Sequence, residues 1–334
     1  MTQPGTYAGQ RATGRPVIRS VNGFGNFMAW TGTSSGGAAS GWINLNFQPS
    51  GYSFNGNWLT TDSSNYGPAL VLNPMMTGAG LFWTDAASSG VFYTLAAPST
   101  PGSSSWTITP GSTAIPGAAA TGGPAAFLGL LDGEPVVTVV WQDKVLNSMA
   151  FWQSDIFGGA SGDTPVSLGV SCTDSPTLIL AGGKSYLAYF DTNKAFNLAV
   201  DPNGGANFNL AGRFTTSTIT SSYAPALVTL NNQLAYVVWA TGSGVSYQQI
   251  GVNAQGSWVV NNAAGCSGSI TGITPSAGPT ANVIEVVVDG VITSQILIGW
   301  AQSGTSPANM IYTTTILPVF TPPFTDEVPN AATQ

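Results

Sequence analysis

Short apolar runs rich in β-branched and aromatic residues alternate along this chain with clusters of Gly, Pro, Asn, Asp and Ser. Runs at 135–141 and 283–288 are examples, and their length and composition are those of strands. No helix is predicted. The clearest unit is residues 223–258. An apolar strand opens at Pro225, a turn follows at Asn231-Asn232, and a second strand ends at Trp239. Then come a polar loop, a third strand around Tyr247 and a Gly-Ser-Trp strand at Trp258. Four short strands joined by tight turns predict one up-and-down sheet.

Versions of this unit recur along the chain. Each opens on a small residue and a proline, at Gly67-Pro68, Gly123-Pro124, Ser175-Pro176, Ala224-Pro225 and Gly278-Pro279, with Arg15-Pro16 first in the series. Successive prolines lie 52, 56, 52, 49 and 54 residues apart. Proline donates no ladder hydrogen bond and fits a strand's first residue, so it marks strand starts. A second marker closes strand two: Trp30, Trp83, Trp141, Phe190, Trp239 and Trp300, each followed by small or polar residues. Turn signals stand between the markers at Asn22-Gly23, Asp132-Gly133, Gly182-Gly183, Asn231-Asn232 and Asp289-Gly290. These residue types suit tight hairpins. Copy two carries Met75-Met76-Thr77-Gly78 instead, which predicts a wider loop.

Six four-stranded copies with a period near fifty residues predict an all-β fold, a six-bladed β-propeller of antiparallel blades. The expected blades are 15–64, 65–121, 122–173, 174–222, 223–276 and 277–324, in one domain covering 1–334. Segment 1–14 is a closing strand and 325–334 a tail. An open edge in the last blade invites aggregation. The segments at 6–13 and 319–324 therefore compete for its outer place, with the N-terminal one favoured because it would clasp the ring.

Composition then narrows function. Charged residues are 6% of the chain against roughly 25% in ordinary soluble domains, so Ser, Thr, Asn, Gln and Gly must cover the surface. Seven basic residues against fourteen acidic ones, with no basic cluster, exclude phosphate-directed nucleic-acid binding and disfavour anionic membranes. No apolar run reaches the roughly 20 residues of a spanning helix, so no membrane insertion is expected. The N-terminus lacks the apolar core of a signal peptide. An extracellular or particle-surface location is expected, reached with the leader already removed or by another route. Cys172 and Cys266 precede the opening prolines of copies separated by a whole blade, and either a mutual disulfide or two free thiols fits.

The chain has no histidine, which removes the commonest general base, the triads built on it and imidazole metal sites. A pair of carboxylates remains sufficient for glycoside hydrolysis. Calcium needs six to eight oxygens, and the one dense acidic stretch, Asp132-Gly133-Glu134, fits a hairpin turn better. No metal or cofactor is expected.

The turns before the last strands, Asn253-Ala254-Gln255-Gly256-Ser257-Trp258 and Asp201 to Phe208, with looser forms at Asn55-Gly56-Asn57-Trp58 and before Trp106, resemble degenerate Asp-boxes of the sialidase-type propeller. Sialidase activity would need three convergent arginines and a Tyr/Glu nucleophile pair. Here Arg11, Arg15 and Arg19 crowd one end of the chain and only Arg213 stands apart. The repeat is also similar to non-catalytic propeller lectins. That resemblance implies sugar subsites built from aromatic platforms beside small polar groups, and the residues that fit are Trp83, Asp85, Trp141, Asp143, Asp191, Trp239 and Trp300. Against it stands the packing use of one tryptophan per blade and the use of aspartate in turns. A non-catalytic, glycan-binding protein is the expected function. The alternatives are a structural or receptor-binding subunit of a phage, pilus or secreted particle, with a surface-assembly protein as partner, and a glycoside hydrolase.

Overall fold

A computed structural model describes residues 5–21, 25–32, 41–49, 55–73, 75, 77–100, 106–131, 134–158, 164–288, 291–303 and 310–319. The turns at Asn22-Gly23, Asp132-Gly133 and Asp289-Gly290 lie outside them, as do the C-terminal tail and most of the segment at 319–324. The N-terminal strand β1 (Gly5–Arg11) precedes blade one, made of β2 (Val17–Val21), β3 (Gly25–Gly32), β4 (Trp42–Pro49) and β5 (Asn55–Ser63). Blade two is β6 (Ala69–Leu72), β7 (Ala79–Thr84), β8 (Val91–Pro98), β9 (Trp106–Ile108) and β10 (Thr113–Ala114). Blade three is β11 (Ala125–Leu131), β12 (Glu134–Asp143), β13 (Ser148–Ser154) and β14 (Val166–Ser167). Blade four is β15 (Thr177–Ala181), β16 (Lys184–Phe190), β17 (Ala195–Asp201) and β18 (Phe214–Thr220). Blade five is β19 (Ala226–Asn231), β20 (Leu234–Thr241), β21 (Gly244–Val252), β22 (Trp258–Val260) and β23 (Ser267–Thr271). Blade six is β24 (Thr280–Val288), β25 (Val291–Ala301) and β26 (Met310–Ile316), with β1 as its outer strand.

The first strands of the blades, β2, β6, β11, β15, β19 and β24, meet in order around an axis. The fold is a six-bladed β-propeller, with no helix among the described residues. In blades two and five the outer position is split between two short strands on one neighbour, β9 and β10 on β8, and β22 and β23 on β21. Val319 leaves blade six for blade five. Its amide meets the Tyr236 hydroxyl at 3.1 Å and its carbonyl accepts from Gln249 Nε2 at 2.6 Å.

The two sequence markers have separate physical causes. At the proline marker, backbones of successive blades touch around the axis. A Cβ on Gly67 would lie 2.2 Å from the Arg15 carbonyl oxygen, one on Gly123 2.5 Å from that of Gly67, and one on Gly278 2.4 Å from that of Ala224. The Gly123 amide donates to Ser175 Oγ at 2.7 Å, and the Ala224 amide to Asp174 Oδ2 at 2.9 Å. These contacts form a collar with no room for a side chain at Gly67, Gly123 or Gly278. The aromatic marker fills the wedges between blades. Trp83 packs into the core between blades one and two, Trp141 between two and three, Trp300 between five and six, and Trp30 between six and one. The polar residue after the aromatic fastens the connection to the next blade. Thr31 Oγ1 donates to the Tyr66 carbonyl at 2.6 Å, Thr84 Oγ1 to that of Gly122 at 2.7 Å, and Gln142 Oε1 accepts from the Cys172 amide at 2.8 Å.

In blade four the aromatic register differs from the sequence reading by one residue. Thr177 pairs with Ala188, as Ala226 pairs with Val238 in blade five. Tyr189, not Phe190, therefore matches Trp239. Tyr189 faces the core shared with blade three, while Phe190 turns to blade five. The cause is a bulge between Thr229 and Asn231, which gives the blade-five hairpin an extra residue. Blade four instead uses a two-residue turn with Gly182 and Gly183 both at positive φ.

Both cysteines are buried and free, and burial raises the pKa of each thiol. Since the thiolate is the reactive form, a thiol reagent is expected to modify neither in the native protein and both after denaturation. Rapid labelling of folded protein would refute this.

Candidate functional site

The turns resembling Asp-boxes are structural. Asn253 Oδ1 accepts from the amides of Gln255 and Ser257 at 3.1 and 2.9 Å, with Gly256 at φ +79°. Asp201 binds the amides of Asn203 and Asn207 at 2.9 and 2.8 Å. These two turns deliver their aromatics into the preceding wedges: Trp258 meets Tyr186 edge-on at 6.1 Å and Phe208 enters the core between blades three and four. Trp106 likewise sits in a wedge, 5.0 Å from Phe27.

Most of the sequence-predicted ligand residues are likewise committed to the fold. Trp83, Trp141 and Trp300 are fully buried and present no face to a ligand. The reason is the wedge geometry, since twisted sheets leave a gap that only a large ring fills. Asp143 is buried and accepts from Trp141 Nε1 at 2.9 Å and from the amides of Val145 and Leu146 at 2.8 and 2.9 Å. Asp85 accepts from the Ser88 amide and hydroxyl, both at 2.7 Å, and Asp191 from the amides of Asn193 and Ala195 at 2.9 and 3.1 Å. They are turn residues whose oxygens hold backbone donors. The three arginines with described side chains do not converge. Arg213 Nε donates to Asn197 Oδ1 at 2.9 Å in blade four, whereas Arg15 and Arg19 line the axial channel. No group of three or more His, Cys, Asp or Glu placed to hold a metal occurs among the described residues.

Trp239 is the exception. It is only partly buried, and it stands in a groove of about 380 Å³ between blades four and five. Thr216, Thr218 and Ile219 of β18 line one wall. Ser246, Tyr247 and Gln248 of β21, with Ser267 and Ser269 of β23, line the other. The hydroxyls of Thr216 and Thr218 are 2.8 Å apart, and so are those of Ser246 and Ser269. Gln248 Nε2 donates to the Asn261 carbonyl at 2.5 Å, leaving its oxygen as an acceptor. Burial shifts the Tyr247 phenol upward, so it stays a neutral donor. No lining residue carries a charge.

Two local departures from the repeat open this groove. The third-strand residue paired with the wedge aromatic is Phe92 in blade two and Ser246 in blade five. Phe92 stacks on Trp83 at 6.4 Å; Ser246, like Ala150 opposite Trp141 and Asn44 opposite Trp30, places no ring there. In blade three Trp152 fills its wedge and reaches Tyr93 at 5.8 Å; the matching residue in blade five is Gln248. Blade four contributes the second departure. Ala195 pairs with Thr220 but Phe196 with Thr216, so β18 bows out of register by three residues.

No protein-family model matches this chain, and no curated protein matches it in sequence. The chain is a six-bladed propeller, and solved structures of sialidases and of a lectin share that fold. A Trypanosoma rangeli sialidase in complex with sialic acid superposes at a TM-score of 0.58 with 9% identity, over 94% of this chain and 59% of that one. The same organism's sialidase with the inhibitor DANA gives 0.57 and 9%, over 91% and 55%. This chain spans little more than half the length of those sialidases. SapL1 lectin in complex with alpha methyl fucoside gives 0.53 and 12%, over 94% of this chain and 99% of that one. At such identities the likeness is one of fold.

Proposed function

We propose that this protein is a non-catalytic carbohydrate-binding propeller whose sugar site is the groove between blades four and five. The observation that carries the reading is Trp239, the marker tryptophan left partly open, beside a neutral wall of hydroxyls and an amide. An indole face packs against the C–H surface of a sugar ring, while Ser, Thr, Tyr and Gln exchange hydrogen bonds with its hydroxyls. The absence of charge in the groove points to neutral sugars. The like-sized lectin complex with a fucoside supports the class of ligand. Against catalysis stand the acids, since Asp85, Asp143, Asp155, Asp191 and Asp201 each hold backbone amides. An extracellular or particle-surface location suits a glycan-binding ring with few charges.

A glycan array followed by calorimetric titration tests the reading, with a Ser246→Phe variant built on the pairing of Phe92 with Trp83. Phenylalanine at 246 is expected to cap Trp239, weaken binding at least tenfold and leave the unfolding midpoint nearly unchanged. A blank array would redirect attention to a structural or receptor-binding subunit. Unchanged binding by the folded variant would remove the groove as the site.

A further inference from the structure

The axial channel differs sharply between its two ends. At the collar it shrinks to about 40 Å³ beside Arg15, Pro68, Pro124 and Ser175. Beyond Arg19 it widens to about 440 Å³, walled by the apolar first strands with residues such as Leu72, Leu128, Ile179 and Val283. At the junction sit two guanidinium groups with no salt-bridge partner among the described residues. Arg15 Nη1 donates to Thr177 Oγ1 at 2.9 Å, but its Nε is buried without a partner. Arg19 Nη1 has only a long 3.4 Å contact to the neighbouring Ile18 carbonyl. Asp174, the acid nearest Arg15, is occupied by the Ala224 amide and the Ser175 hydroxyl. Next to Arg19 in the ring, Asn282 lines the same cavity, and its Nδ2 is buried and unpaired.

Two like charges partly withdrawn from water, with no carboxylate in salt-bridge contact among the described residues, destabilise the fold unless an anion answers them. Burial lowers both guanidinium groups to about 10, and at Arg15 the charge of Arg19 adds to it against the opposing pull of Asp174. A small inorganic anion would answer the charge but leave the apolar wall wet, and a neutral apolar molecule would do the reverse.

We propose that the wide half of the channel binds an amphipathic organic monocarboxylate, its carboxylate at Arg19 and Asn282 and its apolar chain or ring along the first strands. Arg19 supplies a planar pair of donors suited to a carboxylate, and Asn282 Nδ2 adds a third. The cavity has the size of a small-molecule site. It is separate from the groove of blades four and five, and neither reading depends on the other.

The test uses the whole chain and decanoate below its micelle concentration, titrated calorimetrically beside acetate and decanol. Decanoate is expected to bind at least tenfold tighter than either, and Arg19→Met to lose at least tenfold in decanoate affinity. The Arg19→Met protein should melt higher than wild type without ligand, because an unanswered buried charge is gone. If that variant does not fold, Asn282→Leu takes its place, with a smaller loss expected. Decanol or acetate binding as tightly as decanoate, absence of decanoate binding, or full affinity in the folded variants would each overturn the proposal.

Discussion

Trp239→Ala is expected to lose glycan binding while keeping its stability, and Trp141→Ala to lose stability while the molecules that remain folded still bind. The two residues are the same sequence marker in different surroundings. Trp141 is fully buried among Val137, Val139 and Ile156, with its Nε1 held by Asp143. Removing such a ring leaves a cavity that rigid sheets cannot close, at about 3–5 kcal/mol of stability. Trp239 is open on one side to the groove, so less packing disappears with it. A binding residue of this kind carries about 2 kcal/mol or more, a factor of roughly 30 in affinity. Guanidinium unfolding and sugar titration on both variants separate the outcomes. Equal losses of stability would mean that Trp239 is another wedge residue and that the groove has no platform.

The contrast explains why the fold was legible in the sequence and the site was not. What recurs in every copy is what every blade needs. The small residue before five of the six prolines answers the collar, and the aromatic answers the wedge. Repetition therefore revealed the architecture, and the same repetition made Trp83, Trp141 and Trp300 look like a set of ligand platforms. A unique groove arises where the repeat is broken. Its makers are Gln248, where blade three places Trp152, Ser246, where blade two places Phe92, and a three-residue bow in β18. The side-chain substitutions are visible once third strands are aligned on the paired aromatic. The bow is not, because Thr216 to Ile219 read as ordinary strand residues. The shift from Phe190 to Tyr189 has the same origin, since a one-residue bulge in a hairpin leaves no signature in composition.

Gly67→Val is expected to destabilise the ring more than any surface change, and Gly67→Ala to do so by less but measurably. Both atoms flanking Gly67 in the collar are backbone. Its own Cβ position faces the Arg15 carbonyl oxygen at 2.2 Å, and its carbonyl oxygen lies 2.5 Å from the Cβ position of Gly123. A side chain at the rim of a core relaxes by changing rotamer, but a carbonyl in a strand entry moves only with its blade. Pushing blade two outward would also pull on the hydrogen bond from Thr31 Oγ1 to the Tyr66 carbonyl, immediately before Gly67. Overpacking commonly costs 1–3 kcal/mol, and with no flexible neighbour to yield, valine here should cost about 3 kcal/mol or more. Gly242→Ala is the matched control, because nothing lies within 4 Å of its Cβ position and its midpoint should stay within about 0.5 kcal/mol of wild type. Denaturant midpoints for the three variants decide the matter. If Gly67→Ala unfolds like Gly242→Ala, the blades do not touch at the collar, and the small residue of the marker answers to turn geometry alone.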